Sequence, residues 1–191
     1  MSCIIASFAE KRNKDTGKWE EVRDAFTLTK YDAERENKKK GDNPFYWQSY
    51  SLFAFLAGVR NYDECEPISE PKGLPNDSEY LNEIENDGWG GDTTRRQNIL
   101  DDSNHSYSYL TLRELLEFDY EKTFIKKRVI QATNMEGLRA SIPFDISLQE
   151  EAKGKEVSYR DNLGEMYFTH LEDLKALGEP DDVRIVFWFD N

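Results

Sequence analysis

The length, composition and charge of the chain describe a single acidic domain. Its 191 residues are enough to close one hydrophobic core, and a 13% aromatic content argues against a disordered protein. Lys and Arg number 25 against 38 Asp and Glu, and the net charge of −13 disfavours nonspecific binding to nucleic acid or to an anionic membrane. Cys3 and Cys65 are too few and too far apart for a zinc knuckle or a disulfide scaffold. No segment approaches the roughly 20 apolar residues that span a bilayer. We therefore expect one soluble, intracellular domain over residues 1–191, with a loop-rich region at about 60–105.

The first part of the chain predicts a hairpin followed by a buried helix. Residues 3–9 and 18–26 flank a polar turn at 13–17, which is typical of two antiparallel strands. The charged segment 32–42 indicates a surface excursion. Residues 45–59 are almost continuously apolar, with side chains at helical spacing on one face, so we expect them to form the central helix of the core.

A loop and a short helix are expected next. The prolines and the glycine between Pro67 and Pro75 forbid regular structure there. Asp77 or Ser78 can cap a helix that continues to about Asp87, where a glycine-rich turn interrupts it. The residues expected to face inward are Tyr80, Leu81 and Ile84.

Two further helices are predicted from capping boxes, in which the first helical turn is closed by a Thr and a Glu three residues later. Thr111 and Glu114 have this spacing before an apolar stripe, and residues 105–108 are expected to form the irregular entry to that helix. Thr169 and Glu172 repeat the pattern, so a last helix is expected to begin at Thr169.

Strands account for the remaining apolar segments. Residues 122–133 favour a strand, and residues 141–148 are a further candidate. The segment 183–189 is so apolar that we expect a strand covered on both faces. The sequence therefore predicts an α+β fold, with a mostly antiparallel sheet and three to five helices packed on it.

Only two histidines are available for histidine-dependent chemistry. His170 falls in the first turn of the last predicted helix, where an amphipathic surface role is expected. His105 follows Asp101 and Asp102, and it could complete an acid–base or metal site because imidazole titrates near neutrality and a carboxylate fixes its tautomer. The favoured alternative is a histidine whose hydrogen bonds organise the helix entry.

The strongest candidate for anion binding is the segment from Gly88 to Gln97. Its glycines expose backbone amides, Thr94 and Gln97 have capping-box spacing, and two arginines at the helix start would complement a phosphate. The Gly-Lys-Ser/Thr ending of a P-loop is missing, so nucleotide hydrolysis by that mechanism is not expected. An ordinary surface loop is the competing interpretation. The predicted ligand-binding residues are Trp89, Thr94, Arg95, Arg96, His105, Ser106 and Tyr107.

Other charged groups are spread along the chain. Lys126, Lys127 and Arg128 form a basic group, although the alternation of a strand would turn Lys127 away from the other two. Acidic residues cluster at 63–70, 79–87 and 114–121. Carboxylates on helical faces can imitate nucleic-acid phosphates, but such runs are usually solvated surfaces.

Two parts of the sequence resemble a family of uncharacterised small bacteriophage proteins. The first part is Ser-Cys-Ile-Ile-Ala-Ser-Phe-Ala-Glu-Lys-Arg at 2–12; the second combines 52–61, 73–75 and His-Ser-Tyr-Ser-Tyr-Leu-Thr-Leu at 105–112. The family pattern has Cys-Asp-Ile-His near its start, whereas this chain has Ile4 and Ala6 where the aspartate and the histidine would fall. Positions 4 and 6 lie on one strand face, so the family pattern would set an acid beside an imidazole there, facing His105.

The resemblance implies a phage origin, and its missing groups favour binding over catalysis. If the family were metal-dependent hydrolases, this chain would lack two ligands. We therefore expect a phage accessory protein, in the cytoplasm of the infected bacterial host, that antagonises antiviral defence without catalysis. It would sequester a small nucleotide signal or block a host defence protein. No cofactor and no catalytic residue are assigned, and metal binding is left open. The alternatives are a metal-dependent hydrolase or phosphodiesterase that uses His105 with Asp101 or Asp102, and an acidic mimic of DNA.

Overall fold

The computed structural model describes residues 3–86, 91–100, 102–127 and 154–190, and these form an α+β fold, as predicted. The strands are β1 (Ile4–Arg12), β2 (Trp19–Val22), β3 (Phe26–Thr27), β4 (Lys40–Gly41), β5 (Ile84–Asn86), β6 (Asp92–Thr94), β7 (Asn104–Thr111), β8 (Thr123–Lys126), β9 (Lys155–Ser158) and β10 (Val183–Asp190). The helices are α1 (Lys30–Glu36), α2 (Tyr50–Ala57), α3 (Glu79–Asn82), α4 (Arg95–Ile99), α5 (Leu112–Glu117), α6 (Tyr159–Leu163) and α7 (Glu165–Leu177). Three of these helices are single turns of four or five residues.

The centre of the fold is a four-stranded antiparallel sheet in the order β2-β1-β10-β7. The predicted hairpin is present as β1 and β2, and the side chain of Asn13 organises its turn by accepting from the backbone amides of Asp15 and Thr16. The apolar strand β10 lies between β1 and β7, which explains why almost all its side chains are buried. Outside this sheet, three small two-stranded sheets pair β3 with β4, β5 with β6 and β8 with β9.

The inner face of the sheet, which carries Ile5, Ile185 and Phe187, packs on the main hydrophobic core. The predicted central helix lies here as α2, and six of its eight residues are buried. Ser49 begins α2 by accepting a hydrogen bond from the amide of Leu52, and Gly58 ends it in a left-handed conformation. This core contains aromatic side chains from α2, α6 and α7, in keeping with the 13% aromatic content.

The outer face of the sheet carries a smaller cluster, in which Phe8 and Val186 pack against Leu81 of α3 and Ile99 of α4. We call α3, α4, β5 and β6 the outer layer. On the same face of the sheet, Glu10 of β1 and Arg184 of β10 form a buried ion pair 2.6 Å apart, and Ser78, which precedes α3, donates a hydrogen bond to Glu10. The molecule is therefore built as one sheet between two unequal apolar layers.

Four local predictions differ from the structure. Residues 104–111 form the edge strand β7 and not an irregular helix entry, although Thr111 does begin α5 with the predicted capping box. Helix α3 ends at Asn82 because Glu83 is extended, and Ile84 is 72% exposed where an inward position was expected. The predicted strand at 122–133 is present as β8, which ends at Lys126, whereas residues 128–133 and the candidate strand 141–148 lie outside the described residues.

The fourth difference concerns the last helix, which begins four residues before the predicted start. Gly164 precedes its first residue, Glu165, so Thr169 lies inside the helix and its hydroxyl donates to the carbonyl of Glu165. His170 is consequently fully buried, and the predicted surface role for this histidine is wrong. None of the helices in the described ranges is long and apolar enough to cross a membrane.

Candidate ligand-binding site

The predicted ligand residues fall into two groups on opposite faces of the sheet. Those on the outer face are Thr94, Arg95, Arg96 and Tyr107. Thr94 begins α4 with the predicted capping box to Gln97, and the hydroxyl of Tyr107 donates to the carbonyl of Ile99 at 3.3 Å. Trp89 lies outside the described residues. The segment that was expected to bind an anion is therefore described only from Gly91 onward.

Both arginines of the outer group are held by contacts within the molecule. The guanidinium carbon of Arg95 lies 3.7 Å from the centre of the Tyr80 ring, and its nitrogens form ion pairs with Glu83 and Glu85 at 2.9 and 2.7 Å. Arg96 donates to a backbone carbonyl of the preceding loop. An anionic ligand would have to compete with these carboxylates, so ligand binding by the two arginines stays a prediction.

His105 lies on the inner face, away from the outer group. It is paired in register with Phe189, and the two rings stack with their centres 6.0 Å apart. A β-bulge separates it from Tyr107: Ser106 has a left-handed backbone with φ of 53°, and two residues of β7 there face one residue of β10. Because of the bulge, His105 and Tyr107 face opposite sides of the sheet, although the regular alternation of a strand would place residues two apart on the same side.

His105 also has no carboxylate partner in the described part of the chain. Its Nδ1 lies 3.0 Å from Oγ of Ser106, and its buried Nε2 forms no hydrogen bond to any residue that the structure describes. Asp102 is exposed, and Asp101 lies outside the described residues. The acid–imidazole site of the hydrolase alternative is therefore not assembled among these residues.

The strand positions at which the resembled family pattern has an acid and a histidine are also separated from His105. Ala6 pairs with Trp188 and lies on the outer face, where it lines a pocket of about 360 Å³. Ile4 pairs with Asp190 and is half exposed. Because His105 packs on the inner face, an imidazole at position 6 would not face it.

A different pocket, with a volume of about 480 Å³, brings together charged and aromatic side chains at the amino-terminal end of α2. This volume lies within the range of about 300–1,000 Å³ that is usual for small-molecule sites. The pocket is lined by Gln48, Tyr50, Ser51, Ala54, Arg60, Tyr62, Asp63 and Lys126. We call it the Arg60 pocket. It combines residues from the start of α2, the loop that follows α2 and the end of β8.

The positive groups of the Arg60 pocket are Arg60 and Lys126. The hydrogen bond between Arg60 and Tyr62 raises the pKa of the guanidinium above its ordinary value, so Arg60 stays charged. Lys126 donates to the side-chain oxygen of Asn162 at 2.8 Å, and Ser51 donates to the same oxygen at 3.2 Å. Asn162 therefore holds the ammonium group beside the first turn of α2, whose positive dipole end adds to the field in the pocket.

Two tyrosines and an amide supply the remaining polar and aromatic surface. The rings of Tyr50 and Tyr62 meet edge to face with their centres 6.1 Å apart, and their side chains are 38% and 45% exposed. Gln48 is anchored through its amide nitrogen, which donates to the carbonyl of Cys3 at 3.0 Å. The backbone of Arg60 is left-handed, with φ of 53°.

Sequence reasoning identified parts of the Arg60 pocket but not the pocket itself. Lys126 was recognised only as one member of a basic run, whose second member, Lys127, pairs with Glu64 and whose third, Arg128, lies outside the described residues. The loop after α2 meets the end of β8 because the amide of Lys127 donates to Asp63 at 2.7 Å. No local spacing encodes that contact. In the described ranges, no group of three His, Cys, Asp or Glu residues is arranged to hold a metal ion.

Comparisons with protein-family models, with curated proteins and with solved structures find no match to this chain.

Proposed function

We propose that the protein binds a small nucleotide without catalysis, and that the Arg60 pocket is the binding site. The observation that carries the proposal is the convergence of two cations and two tyrosines in one pocket of about 480 Å³. A guanidinium offers a planar pair of donors that matches phosphate oxygens, and an ammonium adds a point charge. Aromatic rings with exposed faces suit the stacking of a base.

Each side chain has a distinct part in this binding. Arg60 and Lys126 hold the phosphoryl group near the start of α2, where the dipole of the helix favours an anion. Tyr50 or Tyr62 stacks on the base, and the amide of Gln48 offers a hydrogen bond to a polar edge of the ligand. No described residue of the pocket is a histidine or a cysteine, and we assign the pocket no proton transfer or covalent step.

The resemblance to phage proteins supplies the biological setting of the proposal. A protein that binds a nucleotide without turning it over lowers the concentration of the free signal, which is one way to antagonise a host defence system in the cytoplasm of the infected cell. Blocking a host protein is the second form of the same proposal. The hydrolase and the DNA-mimic alternatives have less support, because His105 lacks a described acid partner and the acidic residues supply only an overall charge of −13.

Thermal unfolding in the presence of a nucleotide panel tests the proposal. The panel contains cyclic mononucleotides, nucleoside monophosphates, triphosphates and ADP-ribose. A ligand at 100 times its Kd is expected to stabilise the fold by about 2.7 kcal/mol, with a matching rise in Tm. The Arg60→Gln variant should lose the rise, and the control variant Arg23→Gln, altered at an exposed arginine paired with Glu21, should keep it. No shift with any member of the panel would refute the proposed function.

A further inference from the structure

The charges that line the Arg60 pocket indicate how much negative charge its ligand can carry. Arg60 and Lys126 contribute two positive charges, and Asp63 contributes one negative charge to the same lining. The lining residues that the structure describes therefore carry a net charge of +1. This balance matters because the molecule as a whole carries −13, so the surrounding field opposes additional negative charge.

The acidic loop beside the pocket reinforces that limit. Glu64 and Glu66 lie one and three residues after Asp63 in the chain, and their side chains are 78% and 67% exposed. Two lysines are paired with these carboxylates, since Lys127 pairs with Glu64 and Lys122 pairs with Glu66. These two cations are thus not available to balance a second or third phosphate that extends beyond the pocket.

We infer that the ligand of the Arg60 pocket is a nucleotide with a single phosphoryl group, and that a cyclic mononucleotide, whose phosphodiester carries one negative charge, fits it best. The inference rests on the proposed function. One phosphodiester matches the net charge of +1 of the described lining, whereas a polyphosphate leaves unbalanced negative charge beside Asp63. A pocket of about 480 Å³, in the lower half of the usual range, also suits one base and one ribose better than two.

Calorimetric titration at constant ionic strength ranks the ligands. Cyclic AMP is expected to bind most tightly and AMP next. The Kd values of ATP and ADP-ribose are expected to be higher than that of cyclic AMP by about tenfold or more. If ATP or ADP-ribose bound as tightly as cyclic AMP, the inference would be wrong and the proposed function would stand. If none of the four ligands bound, both would fail.

Substitution of the carboxylate tests the cause of the ranking. Asp63→Asn keeps the oxygen that accepts from the amide of Lys127 and removes the negative charge. ATP binding should therefore improve more than cyclic AMP binding, by about threefold to tenfold in the ratio of the two Kd values. Asp15→Asn, in the exposed hairpin turn, is the matched control and should leave the ratio unchanged. An unchanged ratio in Asp63→Asn would contradict the electrostatic explanation.

Discussion

At the scale of single residues, His170 shows how a buried histidine is fixed in its neutral form. Its Nδ1 accepts a hydrogen bond from the amide of Phe45 at 2.9 Å, so the ring proton lies on Nε2, which donates to the carbonyl of Thr27 at 2.7 Å. The aromatic rings of Phe26, Phe45 and Trp47 surround the imidazole. A second proton would remove the acceptor that holds Phe45. The histidine is thus a structural link between α7 and the two segments at residues 27 and 45.

His170 predicts that the protein loses stability in mild acid. Burial lowers the pKa of His170 from its ordinary value of 6.5, despite the hydrogen bond to Thr27 and the nearby charge of Asp173, which raise it; Lys40 lowers it further. Below pH 6.5 the unfolded chain therefore binds more protons than the folded one, and the free energy of unfolding should fall as the pH decreases from 7.5 to 5.5. Urea denaturation at the two pH values measures this change.

The chosen pH range separates His170 from the carboxylates. Asp173 and Glu114 have ordinary pKa values of 3.8 and 4.5, which are lowered further in the fold, so their contribution is lost only at more acidic pH. The variant His170→Asn keeps an acceptor for the Phe45 amide but has no group that titrates in this range. It should be less stable than the parent at pH 7.5, by about 1–3 kcal/mol, and less dependent on pH. An equal pH dependence in both proteins would contradict the assignment.

At the scale of elements, α2 illustrates a helix whose end is fixed by one glycine. Gly58 has φ of 68°, and its amide donates to the carbonyl of Ala54 while the amide of Val59 donates to that of Phe53. The bond from Gly58 to Ala54 is that of the αL C-cap motif, which closes the last turn of α2 before the loop that carries Arg60. The left-handed backbone at Gly58 therefore determines the direction of the loop that carries Arg60.

Substitution of Gly58 should measure the free energy needed to hold another residue in the left-handed backbone conformation, without a contribution from steric clashes. A Cβ at Gly58 would meet no atom within 4 Å, so Gly58→Ala is expected to lower the free energy of unfolding by about 1–2 kcal/mol through conformation alone. Gly58→Asn should lower the free energy of unfolding by less than Gly58→Ala does, because asparagine tolerates the left-handed region. Gly178 is extended and its added Cβ would make ordinary contacts, so Gly178→Ala is a control expected to change stability by less than about 0.5 kcal/mol. Chemical denaturation of the three variants decides between these expectations.

The elements that sequence reasoning identified are those whose signals are local. The apolar run at 45–59 contains α2, and the capping box at Thr111 begins α5, because both depend on residues within one or two helical turns. The strand β7 was missed because its polar and aromatic residues become a strand only by pairing with β10, far along the chain. The last helix was predicted to begin at Thr169 because Thr169 and Glu172 have capping-box spacing, but this spacing occurs inside α7. Gly164, which precedes the helix, provides no side-chain cap.

The candidate site was less predictable than the elements for the same physical reason. The Arg60 pocket depends on the meeting of the loop at 60–63 with the end of β8, and nothing in either segment specifies that contact. The predicted His105 and Tyr107 are neighbours in sequence but lie on opposite faces, because a bulge at Ser106 interrupts the alternation of the strand. A bulge depends on the pairing of two distant strands and was not visible in the pattern of one.

At the scale of the whole molecule, a buried polar cluster joins the outer layer to the sheet. Glu10 is completely buried and pairs with Arg184, whose guanidinium also reaches Asp77 at 2.8 Å and lies 4.0 Å from the centre of the Trp19 ring. Ser78 donates to Glu10 and also accepts from an amide at the start of α3. The Glu10–Arg184 pair therefore joins β1 to β10, while Asp77 and Ser78 connect this pair to the segment that begins α3.

Removal of one partner of the buried ion pair should lower the free energy of unfolding more than removal of both partners. Arg184→Met leaves Glu10 charged and buried, so we expect a loss of about 3–5 kcal/mol in the free energy of unfolding, whereas the double variant Glu10→Leu/Arg184→Met should lose less than Arg184→Met alone. Lys18→Met is the control, because its ion pair with Glu79 is more than half exposed on the lysine side and is worth about 0–1 kcal/mol. Urea denaturation measures all three variants. If Arg184→Met were as mild as Lys18→Met, the buried carboxylate of Glu10 would not depend on Arg184, because a buried charge that loses its partner should lower the free energy of unfolding by far more than an exposed pair does.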